Sequence, residues 1–480
     1  MIPSMPSHRK NTALPGFRLL IVFLALLAAG CTALPSTLKP ALEDEGEVFV
    51  YLQPLPQAAG KLKFTLGSLS LMAADGRDIP LLLALSDFHS NTMTRQRFIA
   101  AGRVPPGQYL GLSFGVTKAT LLGEEGEAAL LVPEEPVKVP LSFEIGRKKA
   151  VVLSLSLRYA ESVQSGFSFT PRFSLFIPAM PVSGLLGYVV NQGDNTVTVF
   201  DKKSSQIASI IATNRGPEAV ALDQKSRQAY LSLGEEDAVE VIDVTDGTFI
   251  NRVHLKAGDG PRDVSLTPDG RLLLSLNARS RAVSIIDPDS AVERSRVMVG
   301  EGPRRLLVNR TGERCFVFNR LSNTISVIDI ANGAMVATIA TDAGPLMGQL
   351  NRRGDRLYVI HEGSPYMLVI DTAALSVIKR QYVGLGLRVI KVDMKNDMIY
   401  ASRRGDARIE VYEPFSLNVI DSLPGTAGVA QMTIDGEANN LFLLSTEQRR
   451  LLSVSLISRK VVTETDMAED ATWVTMMGER

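Results

Sequence analysis

The run Asn323-Thr324-Ile325-Ser326-Val327-Ile328-Asp329 returns in varied form along the C-terminal two-thirds of the chain. Its echoes include Asn195 to Asp201, Ala238 to Asp243, Ala282 to Asp287 and Met367 to Asp371. The acidic or equivalent position falls at Asp201, Asp243, Asp287, Asp329, Asp371, Glu413 and Ser455, at intervals of 42, 44, 42, 42, 42 and 42 residues. A fixed period constrains a fold more than any local propensity, because each repeat must be one structural unit. Fifteen residues after most of these positions stands a glycine, usually followed by proline: Gly216-Pro217, Gly302-Pro303 and Gly344-Pro345, then Gly386-Leu387 and Gly428-Val429. Gly260-Pro261 lies two places later in the longer repeat, and Asp470-Ala471 holds the last such place.

Each repeat offers four short strands: after the Gly-Pro, at elements such as Tyr188-Val189-Val190-Asn191, at the Val-x-Val-Ile-Asp element, and in a final run such as Met335 to Ile339. Four strands in about 42 residues make a propeller blade. A blade cannot bury both faces alone, so blades stack radially. The first repeat begins near Leu186 at its second strand, with no Gly-Pro strand before it. The chain ends with Ala471 to Met477 in the Gly-Pro-strand register, so this strand is expected to complete the first blade. The expected fold is all-β: a seven-bladed β-propeller over 183–480, closed by strand 471–477 and preceded by a β-sandwich domain. The Tyr-Val-x-Asn and Val-Ile-Asp elements with Gly-Pro between them resemble the YVTN-type β-propeller repeats. Ser455 and Leu441-Phe442-Leu443-Leu444 in the seventh copy depart most from that pattern.

Residues 46–180 carry a different rhythm. Gly46 to Leu52, Lys61 to Leu66, Val104 to Phe114, Val137 to Phe143, Val151 to Leu157 and Phe167 to Ile177 read as short strands, with a turn at Asp75-Gly76. Strands at this spacing suggest a β-sandwich. The Pro106-Gly107-Gln108-Tyr109 element resembles the corner of prealbumin-like and carbohydrate-binding-like sandwich domains of bacterial lipoproteins.

The N-terminus reads as an address. A polar stretch with Arg9, Lys10 and Arg18 precedes an apolar run from Leu19, which ends in Ala28-Ala29-Gly30-Cys31. The run is short for a bilayer span and has the plan of a secretory signal. The small residues before Cys31 resemble a bacterial lipobox, although Ala28 stands where the family prefers leucine. The resemblance implies cleavage after residue 30, diacylglycerol on the Cys31 sulfur, and a membrane as the first partner; more than one acyl chain anchors stably. Thr32 rather than Asp follows, so the expected address is the outer membrane. Residues 31–45, with Pro35 and Pro40, read as a tether.

The chain has equal numbers of basic and acidic residues, 51 of each. No charge excess points to nucleic acid. Four histidines and two cysteines include no metal-spaced pair, no haem motif, no nucleophile elbow and no phosphate-binding loop. No cofactor is expected. Cys315 reads as a buried thiol, His89 as part of a polar loop, and Arg404-Gly405-Asp406 as a hairpin turn of the sixth blade.

Propellers commonly bind ligands where their innermost strands begin. The residue after Gly-Pro or its equivalent is Glu218, Arg262, Arg304 or Arg388, with Arg305 beside Arg304. The second strands end at Asn191, Leu233, Asn277, Asn319, His361, Arg403 and Ser445, with Arg320 beside Asn319. The expected rim is therefore Asn191, Arg262, Asn277, Arg304, Arg305, Asn319, Arg320, His361, Arg388 and Arg403. Arginine forks in a low-dielectric funnel suit carboxylates and phosphates. The function expected is a non-catalytic envelope platform for a protein, a glycan or another anionic ligand. The alternative is a periplasmic propeller enzyme, lactonase-like or related to redox-cofactor dehydrogenases.

Overall fold

The computed structural model describes residues 39–479 apart from 90, 91, 125 and 165. Cys31, the signal-like run and most of the tether lie outside the described residues.

Residues 186–476 form seven four-stranded antiparallel sheets. Six are continuous in sequence, from blade 2 (strands Pro217–Asp223, Gln228–Leu233, Ala238–Asp243 and Phe249–His254) to blade 7 (Val429–Ile434, Asn440–Ser445, Arg450–Ser455 and Val461–Asp466). Blade 1 is composite. Its strands Leu186–Asn191, Thr196–Asp201 and Ile207–Ala212 take Ala471–Met476 as their innermost neighbour. The innermost strands of successive blades touch in a closed ring, so every blade has a neighbour on both faces and only the short end strands of each sheet remain as edges.

The repeat's acidic position is a turn device. Asp371 Oδ1 accepts the backbone N–H groups of Ala373 and Ala374 at 2.9 and 2.8 Å. Asp201, Asp243, Asp287 and Asp329 do the same for the residues that follow them. Glu413 and Ser455 substitute without loss of the bond, which is why the copies tolerate them. The tyrosine of the second strand ties blade to blade: Tyr188 donates to the Val244 carbonyl at 3.0 Å and Tyr358 to that of Pro414 at 3.2 Å. The glycine of each Gly-Pro sits in the left-handed region, for example Gly302 at φ 61°, where other residues meet a steric penalty. Asp470 adopts φ 58° at the equivalent place in blade 1.

Residues 46–176 form a five-stranded sheet, a six-stranded sheet and a two-stranded ribbon around their own core, which includes Leu62, Phe64, Phe88, Tyr109, Phe114 and Phe173. In the first sheet Gly46–Leu52 lies between Ala150–Leu157, to which it runs parallel, and Arg97–Val104. In the second, Leu62–Ala73 pairs with the long strand Gly107–Gly123, which also pairs with Val137–Ile145. Tyr109 turns its hydroxyl back to the Pro105 carbonyl at 2.6 Å and fixes the corner. Every residue of Gly46–Leu52 is buried, because both faces of that strand are covered. Val48, Val50 and Leu52 face the core of the N-terminal sheets, whereas Phe49 and Tyr51 join a second cluster with Phe200, Ile207, Ile210, Phe442 and Met476. Arg95 and Arg97 pair with Asp466 at 3.1 and 2.5 Å, and the Gln96 side-chain carbonyl accepts the Ile207 N–H at 2.8 Å. The N-terminal sheet therefore lies across blades 1 and 7, over the junction where the ring closes.

Candidate functional site

Six of the innermost strands carry a register shift against the second strand immediately after the Gly-Pro position, as between Pro261 and Asp263, Pro303 and Arg305, and Leu387 and Val389. Blade 1 has the equivalent shift, which leaves Thr472 unpaired between Ala471 and Trp473. A bulge leaves one residue out of the ladder and re-aims its side chain. In the seven blades the re-aimed residues are Thr472, Glu218, Arg262, Arg304, Leu346, Arg388 and Ala430, and all seven line one cavity of about 480 Å³ at the channel mouth.

A second tier comes from the residue that follows each second strand. Gln192, Glu362, Arg404 and Thr446 line the same cavity. Arg320, the equivalent in blade 4, reaches sideways to pair with Glu362. The loops are held by neighbours. The Asn195 and Asn323 side-chain carbonyls accept the N–H groups of Gly216 and Gly344 at 2.9 and 2.8 Å, and Asp237 accepts that of Gly260 at 2.7 Å. Blades 1, 2 and 4 thus fix the loop that presents the next blade's mouth residue.

The arginines expected at the rim divide accordingly. Arg262, Arg304, Arg305 and Arg388 converge on the mouth. Asn191, Asn277, Asn319, His361 and Arg403 do not, which corrects the expected rim. The Asn191 amide donates to Thr196 and Thr198 at 3.0 and 2.8 Å, Asn277 to Ser284 at 2.7 Å, and Asn319 to Ser326 at 2.9 Å. His361 Nδ1 meets the Tyr366 carbonyl at 3.2 Å, and Arg403 pairs with Glu410 at 2.9 Å. Blades pack face to face, so a strand-end side chain points along its own blade and not into the channel. One residue further on, the chain has left the ladder and faces the mouth. Arg404 belongs there; the turn reading of Arg404-Gly405-Asp406 was correct for its backbone, since Asp406 accepts the Arg408 N–H at 2.9 Å.

The mouth is strongly cationic. The side chains of Arg262, Arg304, Arg388 and Arg404 make no hydrogen bond or ion pair among the described residues. Burial, with the nearby charges of Arg262, Arg305, Arg320 and Arg388, pushes the Arg304 guanidinium down to about 10. It still carries its charge at neutral pH. Below it Arg305 stacks on Trp473, with the guanidinium carbon 4.4 Å from the ring centroid. Burial pushes Arg305 down, and Asp263 partly restores it. Burial pushes Asp263 itself up to about 6, against the opposing pull of Arg305 and the Leu306 N–H that it accepts at 2.9 Å. Burial also raises Glu218 above the usual carboxylate range, although Arg262 and a hydrogen bond from Gln192 at 2.8 Å oppose it. Among the described residues no three His, Cys, Asp or Glu side chains group as metal ligands. Cys315 is buried and its thiol is pushed up by that burial.

Fold and mouth together define a seven-bladed β-propeller with an arginine-lined funnel. Residues 185–394 match the family described as YNCE-like beta-propeller. Among solved structures, the fold is similar to that of a functionally unknown protein from Desulfotomaculum acetoxidans, with a TM-score of 0.54 at 14% identity, covering 61% of this chain and 98% of that one. Kuenenia stuttgartiensis hydrazine synthase is 18% identical over 53% of this chain and 87% of its own, with a TM-score of 0.48. The dihydro-heme d1 dehydrogenase NirN in complex with DHE is 14% identical over 63% and 77%, with a TM-score of 0.49. At these identities the likeness is one of fold alone. No curated protein matches the chain.

Proposed function

We propose that this chain is a non-catalytic binding module of the bacterial cell envelope, lipid-anchored through Cys31, and that its propeller mouth holds an anionic ligand. The observation that carries the reading is the set of four arginines, Arg262, Arg304, Arg388 and Arg404, gathered around one concave cavity with no side-chain hydrogen bond or ion pair among the described residues. Clustered like charges in a partly desolvated site oppose folding, and a bound anion relieves that repulsion. The volume of about 480 Å³ is in the range of small-molecule sites. It equally admits the terminus of a glycan or an acidic loop of a protein. Binding is favoured over catalysis by the chemistry of the wall: guanidinium groups keep their charge throughout the physiological range and make poor proton donors or acceptors.

Calorimetric titration with inorganic phosphate at low and high salt tests the mouth. Binding is expected to weaken as salt screens the arginines, and to disappear in the double variant Arg304→Glu/Arg388→Glu. Unchanged phosphate binding in that variant, with the fold intact by circular dichroism, would remove the basis of the reading. The anchor is tested separately by mass spectrometry of the mature N-terminus from wild type and Cys31→Ser. An unmodified wild-type Cys31 would sink it.

A further inference from the structure

The wall opposite the arginines has a chemistry of its own. The cationic side chains belong to blades 3, 4 and 6. Blades 7, 1 and 2 contribute Thr446, Thr472, Gln192 and Glu218, which follow one another around the mouth. Thr446 already donates its hydroxyl proton to the Ala471 carbonyl at 2.8 Å, and Thr472 donates to the Glu218 main-chain carbonyl at 3.1 Å. The Gln192 amide nitrogen donates to the Glu218 carboxylate. A hydroxyl that has spent its proton offers lone pairs only, as does an ionised carboxylate. Thr446, Thr472 and Glu218 therefore present acceptors to a wall of guanidinium donors, with Gln192 bracing the Glu218 carboxylate.

Resting on the reading of the mouth as an anion site, we infer that its ligand is a sugar or other polyol bearing a phosphate or carboxylate, with the anionic group on the arginine arc and hydroxyls donating to Thr446, Thr472 and Glu218. A bare inorganic anion held on the arginine arc has at most its own acid protons to offer, whereas a sugar carries several hydroxyls that reach the acceptor arc. A ligand ammonium would supply donors, but five arginines against two glutamates line the cavity, so the field repels it. Neutral hydroxyl donors satisfy both walls. The acceptor arc alone is indifferent to whether the sugar is free or ends a glycan.

The test compares glucose 6-phosphate, inorganic phosphate and phosphoethanolamine by calorimetry on the full folded chain, with a phosphorylated oligosaccharide as a further arm. Two added hydrogen bonds to the acceptor arc are expected to favour glucose 6-phosphate over inorganic phosphate by roughly tenfold or more, and phosphoethanolamine is expected to bind no tighter than phosphate. The oligosaccharide separates sources: tighter binding than glucose 6-phosphate identifies a glycan terminus, and weaker binding a free sugar. Thr446→Val/Thr472→Val is expected to lower the preference for the sugar. Glu218→Gln removes a negative charge, so phosphate should bind more tightly while the preference for glucose 6-phosphate falls. Equal binding of phosphate and glucose 6-phosphate, with binding still lost in Arg304→Glu/Arg388→Glu, would overturn this inference and leave the anion site standing. Binding of none of the probes would overturn both.

Discussion

Lys202 lies at the junction of the first and last blades, where its buried ammonium donates to Asp435 at 2.9 Å and to the Met477 carbonyl at 3.0 Å. Both side chains of the ion pair are only 2% exposed. One cation thus joins blade 1, blade 7 and the residue that follows the closing strand. Lys202→Met keeps the length of the side chain but leaves the Asp435 carboxylate buried without its cation and the Met477 carbonyl without its donor. Breaking a buried pair from one side costs about 3–5 kcal/mol. An entropy of unfolding near 2.1 cal/mol/K per residue, over roughly 440 residues, is about 0.9 kcal/mol/K, so the expected fall in Tm is about 3–5 °C. The assay is thermal unfolding followed by tryptophan fluorescence. The chain's one tryptophan, Trp473, stands in the closing strand. Asp435→Asn in the Lys202→Met background removes the stranded charge and keeps one of the two oxygens that accept the Glu437 and Ala438 N–H groups, so part of the loss should return. A single variant with unchanged Tm, or a double variant no better than the single, would refute the assignment of this pair as a closure staple.

Other outcomes follow from the same structure. Deleting residues 470–480 removes Val474, Met476 and Met477 from buried positions, a loss of about 5–9 kcal/mol at 1.5–3 kcal/mol for each side chain; a truncated protein that keeps native thermal stability would show that the ring does not depend on this strand. Asp263 has a folded pKa of about 6, above its ordinary 3.8, so the folded state takes up a proton before the unfolded chain does. Stability relative to Asp263→Asn should therefore rise as pH falls from 7 through 6 towards 4, by at most about 3 kcal/mol; parallel Tm profiles for the two proteins would contradict this. Ala291 adopts φ 57° where Gly247 and Gly333 occupy the equivalent places at 67° and 61°. Ala291→Gly relieves about 1–2 kcal/mol of left-handed strain against roughly 0.5–1 kcal/mol of added chain entropy, so urea unfolding should show a small net gain, and a loss would mean that the alanine methyl packs better than its backbone suggests.

The blades were legible because a period of 42 residues makes each strand assignment support six others. The turn role of Asp329 and the closing role of the last strand could be read from the same count. The arginines after Gly-Pro were legible for the same reason, since a position shared by every copy can be placed without knowing its geometry. The strand-end positions were misread because alternation tells which residues share a face, not what covers that face. In a propeller both faces are covered by neighbouring blades, so Asn191 and His361 are packed inside. Arg404 was hidden within a tripeptide whose backbone explanation was sufficient by itself. The N-terminal sheet was the least legible part. Gly46–Leu52 pairs in parallel with Ala150–Leu157, about a hundred residues away, and no repeat announces a pairing of that range. Its continuous burial also erases the polar alternation by which a half-covered strand is recognised. Phe167 to Ile177, read as one strand, is two short ones, Ser168–Phe169 and Phe173–Phe176.

The bulge that opens each innermost strand separates two duties that most β-structures combine. A ladder residue must pack, pair and alternate, so its identity is fixed by its neighbours. The bulged residue is released from pairing and alternation, and in all blades but the fifth, where Leu346 joins a core cluster, it is released from packing as well. Read around the ring from blade 1, the seven released positions spell Thr, Glu, Arg, Arg, Leu, Arg and Ala. They are seven settings on one frame, coupled to one another through their charges. A change of ligand needs no change of architecture, and two propellers with superimposable blades can differ completely in what their mouths accept.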